Sequence, residues 1–139
     1  MRITVPVPLR WGDMDAFGHV NNATAVQLLE QARVDGFFSS GREVRDVVVA
    51  RHVIEYLVPI PYTHEPVRIV MWLARVGGSS IEVNYEIRSP DGAPDVLHAK
   101  AATVVVFLDP VAGAPRRLSE AERADWAAFV DEPIAFRRG

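Results

Sequence analysis

The sequence Arg10-Trp-Gly-Asp-Met-Asp15-Ala-Phe-Gly18-His-Val-Asn-Asn22 places two carboxylates, a glycine, a histidine and two asparagines directly ahead of a helical segment. Carboxylates serve as general bases or nucleophiles, and a glycine lets the backbone turn where a side chain would clash. The first N–H groups of a helix lie at the positive end of its dipole and can hold a developing negative charge. This segment therefore contains the parts needed for attack on a carbonyl group.

A helix is predicted to begin at Asn22, and Asn21 or Asn22 is its predicted N-cap. Apolar or small residues then recur at helical spacing near one face: Val26, Leu29, Ala32, Gly36 and Phe37. The small side chains at Ala32 and Gly36 would let the helix approach a sheet closely. Gly41 is the predicted stop signal.

Strand patterns occupy much of the remaining chain. The predicted strands are Ile3–Leu9, Val47–Val58, Val67–Val76, Ile81–Arg88 and Ala99–Leu108. Prolines in the first run favour an edge strand. Strict alternation in Ile81–Arg88 predicts one buried and one wetter face, and the apolar run Ala99–Leu108 predicts a strand covered on both faces.

A second, short helix is predicted to open at Ser119, where Ser119 and Glu122 have the spacing of a capping box. One long helix followed by several strands favours an α+β domain with the helix against an antiparallel sheet. There is no internal repeat, low-complexity tract or linker, so a single domain covering residues 1–139 is predicted.

Composition narrows the possible functions. With 49% hydrophobic and 24% charged residues, the chain has the composition of an ordinary globular protein. The net charge of −3 argues against a general nucleic-acid binder. The absence of cysteine excludes disulfides, thiolate metal sites and cysteine nucleophiles. No run approaches the roughly 20 apolar residues of a membrane span, and the N-terminus lacks the pattern of a signal peptide. A cytoplasmic location is therefore expected, with no membrane partner.

The run Asp15-Ala-Phe-Gly-His-Val-Asn-Asn, followed by Glu30-Gln-Ala-Arg33, resembles the signature of the hotdog-fold acyl-CoA thioesterases. Within that family the branch most similar is that of 4-hydroxybenzoyl-CoA thioesterase. The resemblance implies an antiparallel sheet wrapped around one long central helix and hydrolysis of an acyl-CoA without a metal or other cofactor. One departure concerns substrate identity: the family helix often carries a tyrosine shortly after the asparagine pair, and Ala23-Thr-Ala-Val26 has none.

The resemblance also implies roles for residues of the motif. Asp15 occupies the position of the catalytic aspartate, acting as nucleophile or as base for water, and the backbone amide of Asn22 matches the oxyanion donor. Gly18 and His19 would help to position water or substrate. From the residues alone, a turn residue that bonds its own backbone is the more common interpretation of Asp15, and His19 is equally interpretable as a loop histidine. Asp13 competes with Asp15, and a structural role is favoured for it.

More distant residues are candidates for coenzyme A binding. Gly78 and Ser79 resemble the family's turn near the pantetheine arm or phosphates, and a simple hairpin turn is the alternative. Arg116 and Arg117 have the chemistry for phosphate contact, although a solvated arginine pair is the more common arrangement. On the predicted helix, Glu30 and Arg33 have ion-pair spacing, and Glu30 is a second carboxylate to test.

Other catalytic signatures are absent from the sequence. It has no Gly-x-Ser-x-Gly elbow, no P-loop and no dinucleotide fingerprint. The histidines His52, His64 and His98 share no metal-ligand spacing. The resemblance therefore implies an acyl-CoA as the partner and a homodimer or homotetramer as the assembly. The alternatives are a thioesterase acting on acyl carrier protein and a non-catalytic domain that binds acyl-CoA.

Overall fold

The structure, a computed structural model, describes residues 1–38 and 46–137. A 3-10 turn, Trp11–Asp13, precedes the loop of residues 14–21, which is called the motif loop below. A π-helical turn, Val34–Phe38, continues the first helix. The main elements in chain order are β1 (Ile3–Val7), α1 (Asn22–Arg33), β2 (Val47–Tyr56), β3 (Val67–Val76), β4 (Ser80–Arg88), β5 (Leu97–Phe107) and α2 (Glu120–Ala127). Gly41, the predicted stop signal, lies outside the described residues.

The five strands form one sheet in the order β1-β3-β4-β5-β2, and every neighbouring pair is antiparallel. The predicted edge strand at the N-terminus is confirmed, although it ends at Val7 rather than at Leu9. The other edge is β2, a strand of ten residues that pairs, within the described part of the chain, only with β5. The predicted α+β class is confirmed.

Helix α1 packs its apolar stripe against the sheet. The helix residues that are buried are Ala25, Leu28, Leu29, Ala32 and Arg33. Val26, which the sequence pattern placed on this face, is only half-buried because the buried stripe runs through Ala25 and Leu28 instead. On the sheet, Val83, Tyr85 and Ile87 of β4 face the same core, as their alternation predicts.

The opposite face of the sheet is crossed by the chain that follows α2. The indole N–H of Trp72 donates to the Glu132 carbonyl at 2.8 Å, and the Ile134 N–H donates to the Asn84 side chain at 2.8 Å. The Lys100 ammonium donates to the Ala135 carbonyl at 2.9 Å. This crossing segment explains why Asn84 is buried on a face that the sequence predicts to be wetter.

Gly36, in the π-helical turn, lies against two strands. A Cβ atom built at this position would lie 2.6 Å from the Met71 side chain, 2.9 Å from that of Ile3 and 3.0 Å from that of Val5. The predicted close approach at Gly36 is therefore confirmed. Within residues 1–38 and 46–137, no helix is both long enough and apolar enough to cross a membrane.

We expect Gly36→Val to lower the free energy of unfolding by about 1–3 kcal/mol, because the added methyl groups overpack a filled contact. Gly12→Val is the matched control, since nothing lies within 4 Å of a Cβ built at Gly12. Chemical denaturation of both variants measures the difference. Equal stabilities for the two variants would show that the π-helical turn can move away from the sheet at no cost.

Candidate active site

The motif loop is closed by its own backbone. The Asp15 N–H donates to the His19 carbonyl at 2.7 Å, and the Gly18 N–H donates to the Asp15 carbonyl at 3.2 Å. Gly18 has a φ of +79°, which is in the left-handed region that favours glycine. The sequence therefore folds into a tight turn that brings Asp15 beside the start of α1.

The Asp15 carboxylate is held by this turn and is still partly free. Its Oδ1 accepts from the backbone N–H of Phe17 at 2.8 Å and of His19 at 3.3 Å. Its Oδ2 takes part in none of the hydrogen bonds among the described residues. The turn interpretation of Asp15 thus holds for one oxygen, while the other oxygen is available for chemistry.

Asp13 has a different environment, although it lies only two residues away. It is buried, and its carboxylate accepts from the backbone N–H of Arg10 at 2.7 Å and from the Arg10 guanidinium at 2.9 and 3.1 Å. The Asp13 carbonyl in turn accepts from the Asn21 N–H at 2.9 Å. These contacts fit the structural role favoured for Asp13, because they tie the loop to the start of the helix.

Two N–H groups in the first turn of α1, those of Asn22 and Thr24, have no acceptor among the described residues. Asn21 is the N-cap, and its side chain accepts from the Ala23 N–H at 2.8 Å. The N–H groups of Val20 and Asn21 donate to the carbonyls of Ile60 and Asp13. Among the described residues, the Asn22 N–H donates to no acceptor. It therefore lies at the positive end of the helix dipole with its hydrogen available.

Asp15, His19 and Asn22 line one cavity of about 250 Å³ at the start of α1. Gly18 shapes the loop but does not line the cavity. The other lining residues are Val20, Ala25, Tyr56, Leu57, Val58, Pro59, Ile60 and His98. The cavity thus combines a carboxylate and a helix-start amide with a largely apolar wall.

Two polar residues of this cavity, Tyr56 and His98, were not singled out from the sequence. The Tyr56 hydroxyl donates to the Asn22 carbonyl at 2.8 Å. His98 is buried, and its Nδ1 lies 3.1 Å from the Val58 carbonyl oxygen. A carbonyl can only accept, so Nδ1 carries the proton in this contact. Tyr56 is exposed for 46% of its surface, and burial of the remainder raises its pKa, so the hydroxyl stays protonated and able to donate.

The coenzyme A candidates lie together, away from this cavity. The Leu118 N–H donates to the Gly78 carbonyl at 2.8 Å, which joins the Arg116–Arg117 segment to the β3–β4 turn. None of Gly78, Ser79, Arg116 and Arg117 lines the cavity. The N–H groups of Gly78 and Ser79 donate to no acceptor among the described residues, so this turn has donors available.

The two arginines of this cluster differ in their contacts. Both terminal nitrogens of Arg116 donate to Glu122, at 2.9 and 2.8 Å, and its guanidinium lies 5.4 Å from the centre of the Phe107 ring. The Arg116 contact and the Ser119 backbone N–H lower the pKa of Glu122 to about 2. Arg117 is exposed and forms no ion pair with a described residue. Arg117 is therefore the freer cation.

A second polar cluster lies under α1, outside the cavity. The buried Arg33 guanidinium donates to the Tyr85 hydroxyl at 3.0 Å and lies 3.9 Å from the exposed Glu30 carboxylate. On the sheet, the hydroxyl of Thr103 in β5 lies 2.8 Å from Nδ1 of His52 in β2. Burial lowers the pKa of His52, Arg33 lowers it further, and Glu30 opposes the shift.

Among the described residues, no three potential metal ligands are grouped.

Comparison with known proteins identifies the family to which this chain is similar. Residues 9–132 match the thioesterase-like superfamily. The Bacillus subtilis protein YsmA, itself uncharacterized, is 32% identical over 93 residues, which span 63% of this chain and 62% of that protein.

Solved structures agree in fold. A thioesterase from Thermus thermophilus, solved in complex with coenzyme A and Zn, is 31% identical with a TM-score of 0.77, covering 94% of this chain and 95% of that one. A predicted thioesterase from Bacillus stearothermophilus has a TM-score of 0.82 at 24% identity, covering 96% of this chain and 100% of that one. The predicted hotdog fold is confirmed by these matches.

Proposed function

The chain belongs to the thioesterase-like superfamily, and we propose that it hydrolyses an acyl-CoA to a free carboxylic acid and coenzyme A. One observation carries this proposal: Asp15, which has a carboxylate oxygen free of the turn, and Asn22, which has an available N–H, line the same cavity. A carboxylate that can activate water and a donor that can hold an oxyanion are the two groups that hydrolysis of a thioester needs.

In the proposed reaction, the thioester carbonyl lies with its oxygen toward the Asn22 N–H. Asp15 acts as base for a water molecule, which forms a bond to the acyl carbon, or attacks that carbon itself to give an anhydride that water then opens. In either route the C–S bond breaks, and the thiolate of coenzyme A leaves. The proton taken from water passes to the thiolate or to solvent. His19, on the same loop, would position the water.

Coenzyme A is proposed as the carrier on two grounds. A relative at 31% identity was solved with coenzyme A bound. The cluster of Gly78, Ser79 and Arg117 also offers backbone N–H donors and an exposed cation, which suit a phosphate. Acyl carrier protein is the second candidate carrier, and it would present pantetheine without the nucleotide. A cytoplasmic location fits either carrier.

A non-catalytic acyl-CoA-binding domain is the alternative from another functional class. Such a domain needs the apolar wall of the cavity but has no use for a half-free carboxylate beside an available amide. Asp15 also serves the turn through Oδ1, so its presence alone does not decide between the two. Turnover decides between them.

A homodimer or homotetramer is part of the proposal. The strand β2 is ten residues long and, among residues 1–38 and 46–137, pairs on one side only. It exposes Val48, Val49, Tyr56 and nearby Val58. An edge with unpaired backbone groups and exposed apolar side chains favours association with another strand. Because Tyr56 and Val58 also line the cavity, a second subunit at this edge would lie beside the active site.

We expect Asp15→Asn to lower kcat at least about 10²-fold, on the scale of a lost general base, while the fold stays intact. Asp13→Asn is the matched control: it should lower the melting temperature through its lost Arg10 contacts and change kcat less. Thiol release and thermal unfolding measure both variants. A folded Asp15→Asn protein with near-normal turnover would contradict the proposed mechanism.

For the nucleotide site, we expect Arg117→Ala to raise KM for acyl-CoA about tenfold with little change in kcat, because a charged hydrogen bond to phosphate contributes only to binding. Replacing both Arg116 and Arg117 with alanine should raise KM at least as much and also destabilise the protein through the lost Glu122 contact. Neither change should affect a short pantetheine thioester. Equal effects on both substrates would mean that these arginines serve the fold alone.

For assembly, we expect light scattering to give two or four times the chain mass of 15.4 kDa. Val49→Lys should weaken the assembly, because a lysine on an edge strand opposes pairing with another strand. Val111→Lys, at a loop position that is 95% exposed, is the matched control and should leave the mass unchanged. A fully active protein with the mass of one chain would contradict the proposed assembly.

A further inference from the structure

We propose that Tyr56 is a positioning residue for the hydrolysis: its hydroxyl fixes the first turn of α1 against the sheet, so that the Asn22 N–H keeps its direction in the cavity. The contact that carries this inference is the 2.8 Å hydrogen bond from the Tyr56 hydroxyl to the Asn22 carbonyl. The inference rests on the proposed function, because it assigns the Asn22 N–H to the oxyanion.

Both peptide groups that flank Asn22 are held in place. The group that follows Asn22 is held at its N–H by the Asn21 side chain at 2.8 Å and at its carbonyl by Tyr56. The group that precedes it is held at its carbonyl, which accepts from the Ala25 N–H at 3.0 Å. The free N–H of Asn22 belongs to this preceding group, so its direction follows from these contacts.

Tyr56 differs from the other tethers because it belongs to the sheet. The Asn21 and Ala25 contacts are made within the helix and its cap, and they would move with the helix. Tyr56 is the last residue of β2 and pairs with Ala99 of β5. Its hydrogen bond therefore fixes the first turn of the helix itself against the sheet, in addition to the Val20 N–H bond to the Ile60 carbonyl, which holds the preceding loop to the cavity wall.

The position of Tyr56 is itself secured by the next residues of the chain. The N–H groups of Leu57 and Val58 both donate to the His98 carbonyl, at 2.8 and 3.1 Å, and the His98 ring donates to the Val58 carbonyl. His98 lies at an irregularity of β5, where the register with β4 shifts between Ile87 and Arg88. Such bulges re-aim residues beside active sites, and this one fastens the wall segment that follows Tyr56.

The inference predicts a particular kinetic signature. An oxyanion donor acts more strongly on the transition state than on the bound substrate. A misaimed Asn22 N–H would therefore lower kcat and leave KM nearly unchanged. A tyrosine that only packed against substrate would change KM instead.

The test compares Tyr56→Phe with wild type on acetyl-, hexanoyl-, palmitoyl- and benzoyl-CoA. We expect kcat to fall about tenfold on the best of these substrates, since small misplacements of a catalytic group cost one to two orders of magnitude, with KM within about twofold. Tyr62→Phe is the matched control, because the Tyr62 hydroxyl makes no hydrogen bond with a described residue. That variant should match wild type.

Amide hydrogen exchange without substrate provides a readout that does not depend on turnover. We expect the Ala23 and Ala25 amides, which are hydrogen-bonded in the first turn, to exchange faster in Tyr56→Phe than in wild type, at an unchanged overall melting temperature. An active wild type with an equally active Tyr56→Phe variant would overturn the positioning role and leave the proposed function standing. A wild type inactive on all four substrates would instead count against the proposed function, and unchanged exchange in Tyr56→Phe would then overturn the tether as well.

Discussion

Helices leave their first four N–H groups without partners inside the helix, and in α1 two of these four, those of Asn22 and Thr24, have no acceptor among the described residues. The N–H of Val20 is taken by Ile60, that of Asn21 by Asp13, and that of Ala23 by the Asn21 side chain. The Asn22 N–H remains available between them. The loop and the end of β2 supply the hydrogen bonds to the groups on either side of it, and the bulge of β5 holds the residues that follow Tyr56. The candidate site therefore depends on the bonding of the groups around the Asn22 N–H.

The candidate sites contain two pairs of residues of the same type, and the two members of each pair differ in their contacts with the protein. Asp13 is buried and held by three contacts to Arg10, whereas Asp15 keeps one oxygen outside the turn that it closes. Arg116 is committed to Glu122 at two points, and Arg117 has no such partner among the described residues. In both pairs the residue with fewer protein contacts is the one available to a substrate.

Much of the fold follows from local patterns in the sequence. The bounds of β3, Val67–Val76, are those that the apolar run predicts, and the capping box at Ser119 and Glu122 forms as its spacing predicts. Asp15, His19 and Asn22 could be grouped in advance because they lie within eight consecutive residues of one short loop and helix start. These features could be predicted because each depends on residues that are close together in the sequence.

The opposite wall of the cavity could not be predicted in this way. Tyr56 and His98 line the same wall because β2 and β5 pair in one register and because the register between β4 and β5 shifts at His98, which the composition does not reveal. The Arg116–Glu122 contact was also missed, because the spacing of Glu122 pointed only to its role in the helix cap. These contacts depend on tertiary pairing rather than on the pattern of neighbouring residues.

The central claim is that the cavity at the start of α1 belongs to an enzyme and not to a binding module. Thiol release by the wild-type protein, measured across acetyl-, hexanoyl-, palmitoyl- and benzoyl-CoA, tests this claim most directly. The account predicts release well above the uncatalysed rate for at least one of them, with one free acid formed for each thiol. A folded protein that binds these acyl-CoAs and releases no thiol from any of them would contradict it.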